Sequence, residues 1–136
     1  MSLDIYFYTR VYPGAHKLYV TSKSIENDDI KLHDRLNITH NLTEMARAAE
    51  LYEALWRPYR ICGFSDEEED KYDIQLCHLI PTLKRGIRIM ETQKDYLIKN
   101  YSPENGWGTY SGLLEVTKQL LENCINYPGL FVEVSR

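Results

Sequence analysis

The amino-acid sequence predicts an α+β fold in which a small, mainly antiparallel sheet packs against three helices. Two segments near the ends of the chain, 3–9 and 130–135, alternate apolar and polar residues as half-buried strands do. Between them, three segments repeat apolar residues at helical spacing. No internal repeat, linker or low-complexity segment interrupts this order. We therefore expect residues 1–136 to form one α+β domain, with the N-terminal hairpin and the C-terminal strand in one sheet and the helices on one face.

The N-terminal hairpin is predicted by alternation and by a turn signal. One face of its first strand carries Leu3, Ile5 and Phe7, and the other carries Asp4, Tyr6 and Tyr8. Tyr12-Pro13-Gly14 is typical of a turn, and residues 17–21 then form the returning strand. The next segment, 22–34, mixes charged and isolated apolar residues, and we expect only a short strand around residues 30–32.

The first helix is expected to run from an N-cap at Asn41 to Arg57. Glu44 follows Asn41 by three residues, as in a capping box. The helix ends at Arg57 because Pro58 disfavours helical geometry in the residue that precedes it. The second helix is expected over residues 72–90, with Pro81 causing a kink or a break into two pieces.

A short helix is predicted over residues 94–99 and a third long helix over residues 111–125. The third helix has the most regular apolar stripe, which consists of Leu113, Leu114, Thr117, Leu120, Leu121, Cys124 and Ile125. Asn126-Tyr127-Pro128-Gly129 stops this helix, and the strand over residues 130–135 follows.

The composition excludes several classes of function. The chain has 136 residues and a net charge of −4, which argues against direct nucleic-acid binding because phosphate neutralisation needs an excess of lysine and arginine. No apolar run approaches the roughly 18–20 residues that span a bilayer. The first residues lack the basic and apolar regions of a signal peptide. We expect a cytoplasmic protein without membrane contact, whose three cysteines are buried, reduced thiols.

No catalytic or metal-binding motif is present in the sequence. The four histidines lie outside the spacings that bind zinc or activate a nucleophile. Cys77 and His78 are neighbours, but adjacent residues on a helix point about 100° apart and do not form a nucleophile–base pair. We therefore predict a protein that is not an enzyme and that needs no cofactor and no metal ion.

Two polar clusters are the candidate binding elements. In the first, Asn37, Thr39 and Asn41 share one face of an extended segment that leads into a helix. Their side chains suit a ribose, a phosphate or a main-chain amide. Asparagine and threonine before a helix are equally typical of caps and turns.

The second cluster is the loop Asn105-Gly106-Trp107-Gly108. Trp107 suits either the cover of a flat ligand or partner surface or a plug in the core of the sheet. Arg57, which ends the first helix after the core residue Trp56, is free to reach an anionic group. If the two clusters form one site, Trp107 keeps an exposed ring edge or is covered only by a second copy of the chain.

The acidic run Asp66-Glu67-Glu68-Glu69-Asp70 and the eleven tyrosines allow a different interpretation. Acidic residues favour the N-terminus of a helix, which explains the run without any partner. The same run, together with surface tyrosines, also suits a contact with another protein.

The motifs resemble a family of small uncharacterised proteins of phages and prophages. The resemblance rests on an Asn-x-Thr-x-Asn and an Asn-Gly-Trp-Gly element together, and it covers most of the chain except residues 10–35 and the acidic run. It is carried by Asp4-Ile5-Tyr6, Asn37-Ile-Thr-His-Asn41-Leu-Thr-Glu-Met-Ala, Tyr52-Glu-Ala-Leu-Trp56-Arg-Pro58, Ile80-Pro81 with Gly86, and Pro103-Glu-Asn-Gly-Trp-Gly-Thr-Tyr-Ser-Gly-Leu-Leu. The resemblance implies origin and carries no assigned activity.

Small phage proteins of this type often act against host defence, and that analogy gives two hypotheses. In the first, a phage-type accessory protein in the bacterial host's cytoplasm binds and sequesters a nucleotide-like immune signal. Its ligand-binding residues are Asn37, Thr39, Asn41, Arg57, Asn105 and Trp107. In the second, an anti-CRISPR-like inhibitor binds a host defence protein through an acidic, tyrosine-rich surface. A homo-oligomer is left open in both. An interaction or scaffold protein without a role in defence is the third alternative.

Overall fold

A five-stranded antiparallel sheet organises the computed structural model, which describes residues 2–24 and 31–136. Its strands are β1 (Ser2–Thr9), β2 (Leu18–Tyr19), β3 (Leu36–Thr39), β4 (Ile74–Gln75) and β5 (Phe131–Ser135). Its helices are α1 (Thr43–Ala48), α2 (Tyr52–Trp56), α3 (Ile80–Thr92), α4 (Lys94–Tyr101) and α5 (Tyr110–Asn126). The predicted α+β class is confirmed. In the part of the chain that the structure describes, no helix is long and apolar enough to cross a bilayer.

Strand β1 is the centre of the sheet. It pairs with β5 on one side, as predicted for the two ends of the chain, and Phe7 lies opposite Val132. On its other side β1 pairs with β3 at its start and with β2 at its end. Leu3, Ile5 and Phe7 are buried in the core, as their alternation predicts.

Strand β3 corrects the prediction for the segment that follows the hairpin. Of the strand expected around residues 30–32, residue 30 lies outside the described residues, and Lys31 and Leu32 are not in a strand. The strand forms four residues later, where Leu36 and Ile38 bury their side chains against the same core. The alternation of Asn37, Thr39 and Asn41 begins on this strand.

The prediction of one continuous first helix is wrong, because the segment forms two helices, α1 and α2, with a break between them. Glu50 adopts a left-handed backbone with φ of +58° at the break. The break places Leu51 directly against Gly86 of α3, where a β-carbon would overlap the Leu51 side chain. Leu51 is buried through a tertiary contact, and the spacing of apolar residues along one helix does not predict such a contact.

The predicted N-cap at Asn41 is also wrong. The side chain of Thr39 accepts the hydrogen bond, from the backbone N–H of Asn41, and opens a 3-10 turn over His40–Leu42 that precedes α1. The end of the helix at Trp56, with Arg57 as its C-cap, is confirmed.

The predicted second helix begins eight residues too early. Residues 72–79 contain strand β4 and a 3-10 turn, and α3 begins at Ile80. Pro81 therefore lies in the first turn of α3, where its missing N–H has no intrahelical partner to lose. The predicted helices over 94–99 and 111–125 are confirmed as α4 and α5, although Ile125 of the expected apolar stripe is exposed.

Replacing Gly86 by alanine tests the contact that breaks the first helix. The new β-carbon overlaps Leu51 and lies 3.2 Å from the carbonyl oxygen of Ala49, so Leu51 must move. We expect the free energy of unfolding in urea to fall by about 1–3 kcal/mol, as for other overpacked cores. Gly129→Ala is the matched control, because a β-carbon there meets no atom within 4 Å. An equal loss in both variants would contradict the contact.

Candidate functional site

The two polar clusters meet at Gly108. This residue has a φ of +96°, and a β-carbon on it would lie 2.5 Å from Thr39 Cγ2 and 2.9 Å from Leu42 Cγ. Glycine is required for both reasons, since it alone adopts this backbone freely and leaves room for the neighbouring side chains. The loop before α5 therefore packs against the end of β3, as the convergence hypothesis requires.

Trp107 lies at the outside of this contact. Its side chain is 71% exposed, so the predicted exposed ring is present and the interpretation as a core plug is wrong. The side chain of Asn105 accepts a hydrogen bond from the backbone N–H of Trp107 at 3.0 Å, and Gly106 has a φ of +72°. Asn105 thus shapes the loop that presents the indole.

The Asn37–Asn41 segment has mainly structural contacts. Asn37 Nδ2 donates to Asp4 Oδ1 at 2.7 Å and to Ser2 Oγ at 3.0 Å, which ties β3 to β1. Thr39 caps the turn that follows. Asn41 is exposed, and its side-chain amide makes no recorded hydrogen bond among residues 2–24 and 31–136. Of the first cluster, Asn41 is thus the residue whose side chain is available next to the Trp107 loop.

Trp56 and His40 support the site from the core. Trp56 is 2% exposed, and its Nε1–H donates to His40 Nδ1 at 3.1 Å. The ring of Tyr52 stacks on Trp56 with centroids 5.6 Å apart. The bond to His40 therefore ties the turn before α1 to the end of α2, which carries Trp56. No local pattern in the sequence indicates this bond, because it joins residues that the break between α1 and α2 brings together.

Arg57 is occupied by internal partners. Its Nε donates to the Tyr52 hydroxyl at 3.1 Å and its Nη1 to the Tyr59 hydroxyl at 2.8 Å. These two hydrogen bonds raise the pKa of Arg57, and Nη1 also lies 3.9 Å from Asp66 Oδ1. The expectation that this guanidinium is free to reach an anionic group is therefore wrong in this conformation.

The acidic run is likewise engaged with the protein itself. It opens a 3-10 turn, Asp66–Glu68, and not the long helix that was expected. Arg60 binds both oxygens of Asp66, at 2.9 and 2.8 Å, and with Tyr59 holds the pKa of that carboxyl well below its usual range. Further along, Glu69 Oε2 accepts from Arg136 at 2.7 Å. The carboxylates of Asp66 and Glu69 are thus neutralised locally.

A second charged cluster, around Tyr8, was not expected from the sequence. The Tyr8 hydroxyl donates to Asp73 Oδ1 at 2.6 Å, and Arg10 donates to both oxygens of Asp73, at 2.8 and 3.0 Å. Lys17 pairs with Glu133 beside them. Tyr8 is consequently buried, although its face of β1 was predicted to be outward. Arg10 and Asp73 are 63 residues apart, so no local pattern indicates their pairing.

All three cysteines are free thiols, but the predicted burial holds only for Cys124, because Cys62 and Cys77 are half-buried. Cys124 is buried, and burial raises its pKa to about 12. Burial also raises the pKa of the Cys62 thiol. Both groups are therefore protonated near neutral pH, whereas a nucleophilic cysteine reacts as the thiolate.

The Arg10–Asp73 pair predicts a loss of stability in acid. Hydrogen bonding from Arg10 is the main cause that lowers the pKa of Asp73 in the fold, below its unfolded value of about 3.9. The stabilisation is present above that value and is lost as pH falls through the folded-state pKa. Asp73→Asn should therefore lower the free energy of unfolding at pH 7, and the difference from wild type should shrink in acid. The measurement is urea unfolding across this pH range.

Asp70→Asn is the control for this experiment, because Asp70 has no recorded ion pair or side-chain hydrogen bond among residues 2–24 and 31–136. It removes the same charge, three residues away. A gap between wild type and Asp73→Asn that stays constant down to strong acid would contradict the role of the carboxylate.

No family model, no curated protein and no solved structure matches the chain.

Proposed function

We propose that this protein is a phage-type accessory protein that acts by binding a host defence protein, with Trp107 at the contact. The observation that carries the proposal is the largely exposed indole on a loop that Gly108 packs against Thr39 and Leu42. Tryptophan is among the residue types that are enriched at the hot spots of protein interfaces.

The shape of the surface favours a protein over a small ligand. Small-ligand sites enclose most of the ligand's surface in a concave pocket. Trp107 instead projects into solvent, and Arg57, the cation expected to hold a phosphate, donates to Tyr52 and Tyr59. The cation expected to hold a nucleotide's anionic group is therefore already paired within the fold. A broad protein contact needs neither an enclosing pocket nor a free cation.

A nucleotide-like host signal is the second candidate. It is favoured by the flat Trp107 ring together with the neighbouring Asn41 amide, which would stack a base and bond to its edge or to the sugar. Because the ring is open on one side, this candidate calls for a second copy of the chain to complete the site. The predicted homo-oligomer belongs to this version of the proposal.

The acidic run contributes less to a protein contact than its sequence suggests. Asp66 binds Arg60, Glu68 closes a capping box with Ser65, and Glu69 binds Arg136. Charges that are already paired add little to association. We therefore centre the proposed contact on Trp107, and the host-defence context rests on the resemblance to phage and prophage proteins.

Replacing Trp107 by alanine separates binding from folding. We expect a change of less than about 0.5 kcal/mol in the free energy of unfolding, since the side chain is mostly exposed, together with loss of partner binding. Trp56→Ala is the matched control, because it removes a buried indole and should cost about 3–5 kcal/mol. Stability is measured by urea unfolding. Binding is measured by pull-down from host lysate, followed by calorimetry with the purified partner.

The two candidates give different results in a parallel titration with cyclic dinucleotides and ADP-ribose. Saturable binding of one purified host protein, lost in Trp107→Ala, supports the leading proposal. Heat from a nucleotide, lost in the same variant, replaces it with the second candidate. A folded wild-type protein that binds neither would overturn both.

A further inference from the structure

A mostly apolar groove lies along one edge of the sheet, away from the Trp107 loop. Strands β2 and β3 occupy the same side of β1, and neither has a residue paired opposite Tyr6 or Phe7. The backbone N–H of Val20, just after β2, donates to the Phe7 carbonyl oxygen at 2.9 Å. The groove beside these residues has a volume of about 460 Å³. That volume lies within the range of small-molecule sites. Its lining includes Tyr6, Phe7, Tyr19, Val20, Asp34 and Glu133.

Two tyrosine rings form the aromatic part of the groove. Tyr6 and Tyr19 have centroids 6.4 Å apart and planes at 80°, and their side chains are 42% and 52% exposed. The Tyr19 hydroxyl donates to Glu133 Oε2 at 2.8 Å, which holds that ring in place. The two rings meet edge to face, and both line the groove with aromatic rings whose faces are electron-rich.

The adjacent, buried Tyr8 has two cationic side chains near its ring, and each of them is also paired with a carboxylate. Lys17 Nζ lies 4.7 Å from the ring centroid of Tyr8, and Arg10 Cζ lies 5.4 Å from the same centroid. Both distances are within the range of cation–π attraction. The ring centroids of Tyr8 and Tyr19 are 6.1 Å apart. Among residues 2–24 and 31–136, no cation is recorded over the ring of Tyr6 or Tyr19.

Asp34 supplies negative charge to the groove. Its Oδ2 accepts the backbone N–H of Ser22 at 2.7 Å, and this bond is the main cause that lowers the pKa of the carboxyl. Asp34 is therefore ionised near neutral pH. The other acid, Glu133, is paired with Lys17, while Arg35 is the exposed chain neighbour of Asp34.

We propose that this groove binds a small organic cation, an ammonium group with an apolar body. Tyr6 and Tyr19 would take the cation on their rings, the apolar wall would take the body, and Asp34 would balance the charge. The site is separate from the Trp107 surface, and the proposal does not depend on the proposed function.

Choline tests the proposal, with dimethylbutanol, in which carbon replaces the choline nitrogen, as its neutral isostere. We expect choline to shift the amide resonances of Tyr6, Tyr19 and Asp34 in a saturable titration, and dimethylbutanol to bind much more weakly. Tyr19→Ala should weaken choline binding by about five- to thirtyfold, the equivalent of one cation–π contact of about 1–2 kcal/mol. Tyr19→Phe keeps the ring and should retain most of the affinity.

Two further variants make the outcome decisive. Asp34→Asn should weaken choline binding and leave any binding of dimethylbutanol unchanged, whereas Trp107→Ala should alter neither. Circular dichroism checks that each variant is folded. Absence of choline binding, equal binding of the neutral isostere, or shifts confined to other residues would each overturn the proposal.

Discussion

The close approach of Gly108 to Thr39 and Leu42 is the contact on which the candidate site depends. It joins a loop that precedes the last helix to the end of a strand some seventy residues earlier in the chain. A larger residue at this position would push the loop outward, and a right-handed backbone would redirect Trp107. Because glycine satisfies both requirements, the loop that carries the exposed indole packs against the segment that carries Asn41.

Several polar groups that could bind a ligand are instead paired with other residues of the fold. Trp56 bonds to His40 through its indole and to Arg136 through its carbonyl oxygen, so the core tryptophan links the strand end to the C-terminus of the chain. Arg57 and Asp66 are held in the same network through Tyr59. Arg57, which looks like a ligand-binding residue in the sequence, therefore stabilises the fold. Trp107 and Asn41 are exposed and are available to a partner.

The elements that the sequence predicted correctly are those whose burial follows a local period. β1 and α5 bury one regular face and β5 buries Val132 on its predicted inner face, so alternation or helical spacing was sufficient. The break at Glu50 was not predictable because Leu51 meets Gly86 only in the folded chain. The same holds for Arg57, whose two tyrosine partners depend on how α2 ends, and for Asp73, whose partner Arg10 is distant in sequence. At the candidate site, the residue types of the loop were enough to suggest an exposed tryptophan between two glycines. They did not indicate that Asn37 and Arg57 form hydrogen bonds within the fold.

The most direct test of this account is whether the two segments touch in the free protein in solution. Nuclear Overhauser spectroscopy on methyl-labelled protein measures this through cross-peaks between the Gly108 α-protons and the methyl groups of Thr39 and Leu42. The account predicts strong cross-peaks, since a β-carbon at Gly108 would lie 2.5 Å from Thr39 Cγ2. It also predicts that they persist in a Trp107→Ala variant, because the glycine and not the indole makes the contact. Absence of these cross-peaks in the wild-type protein would mean that the loop does not pack on the strand end, and would contradict a single site at Trp107.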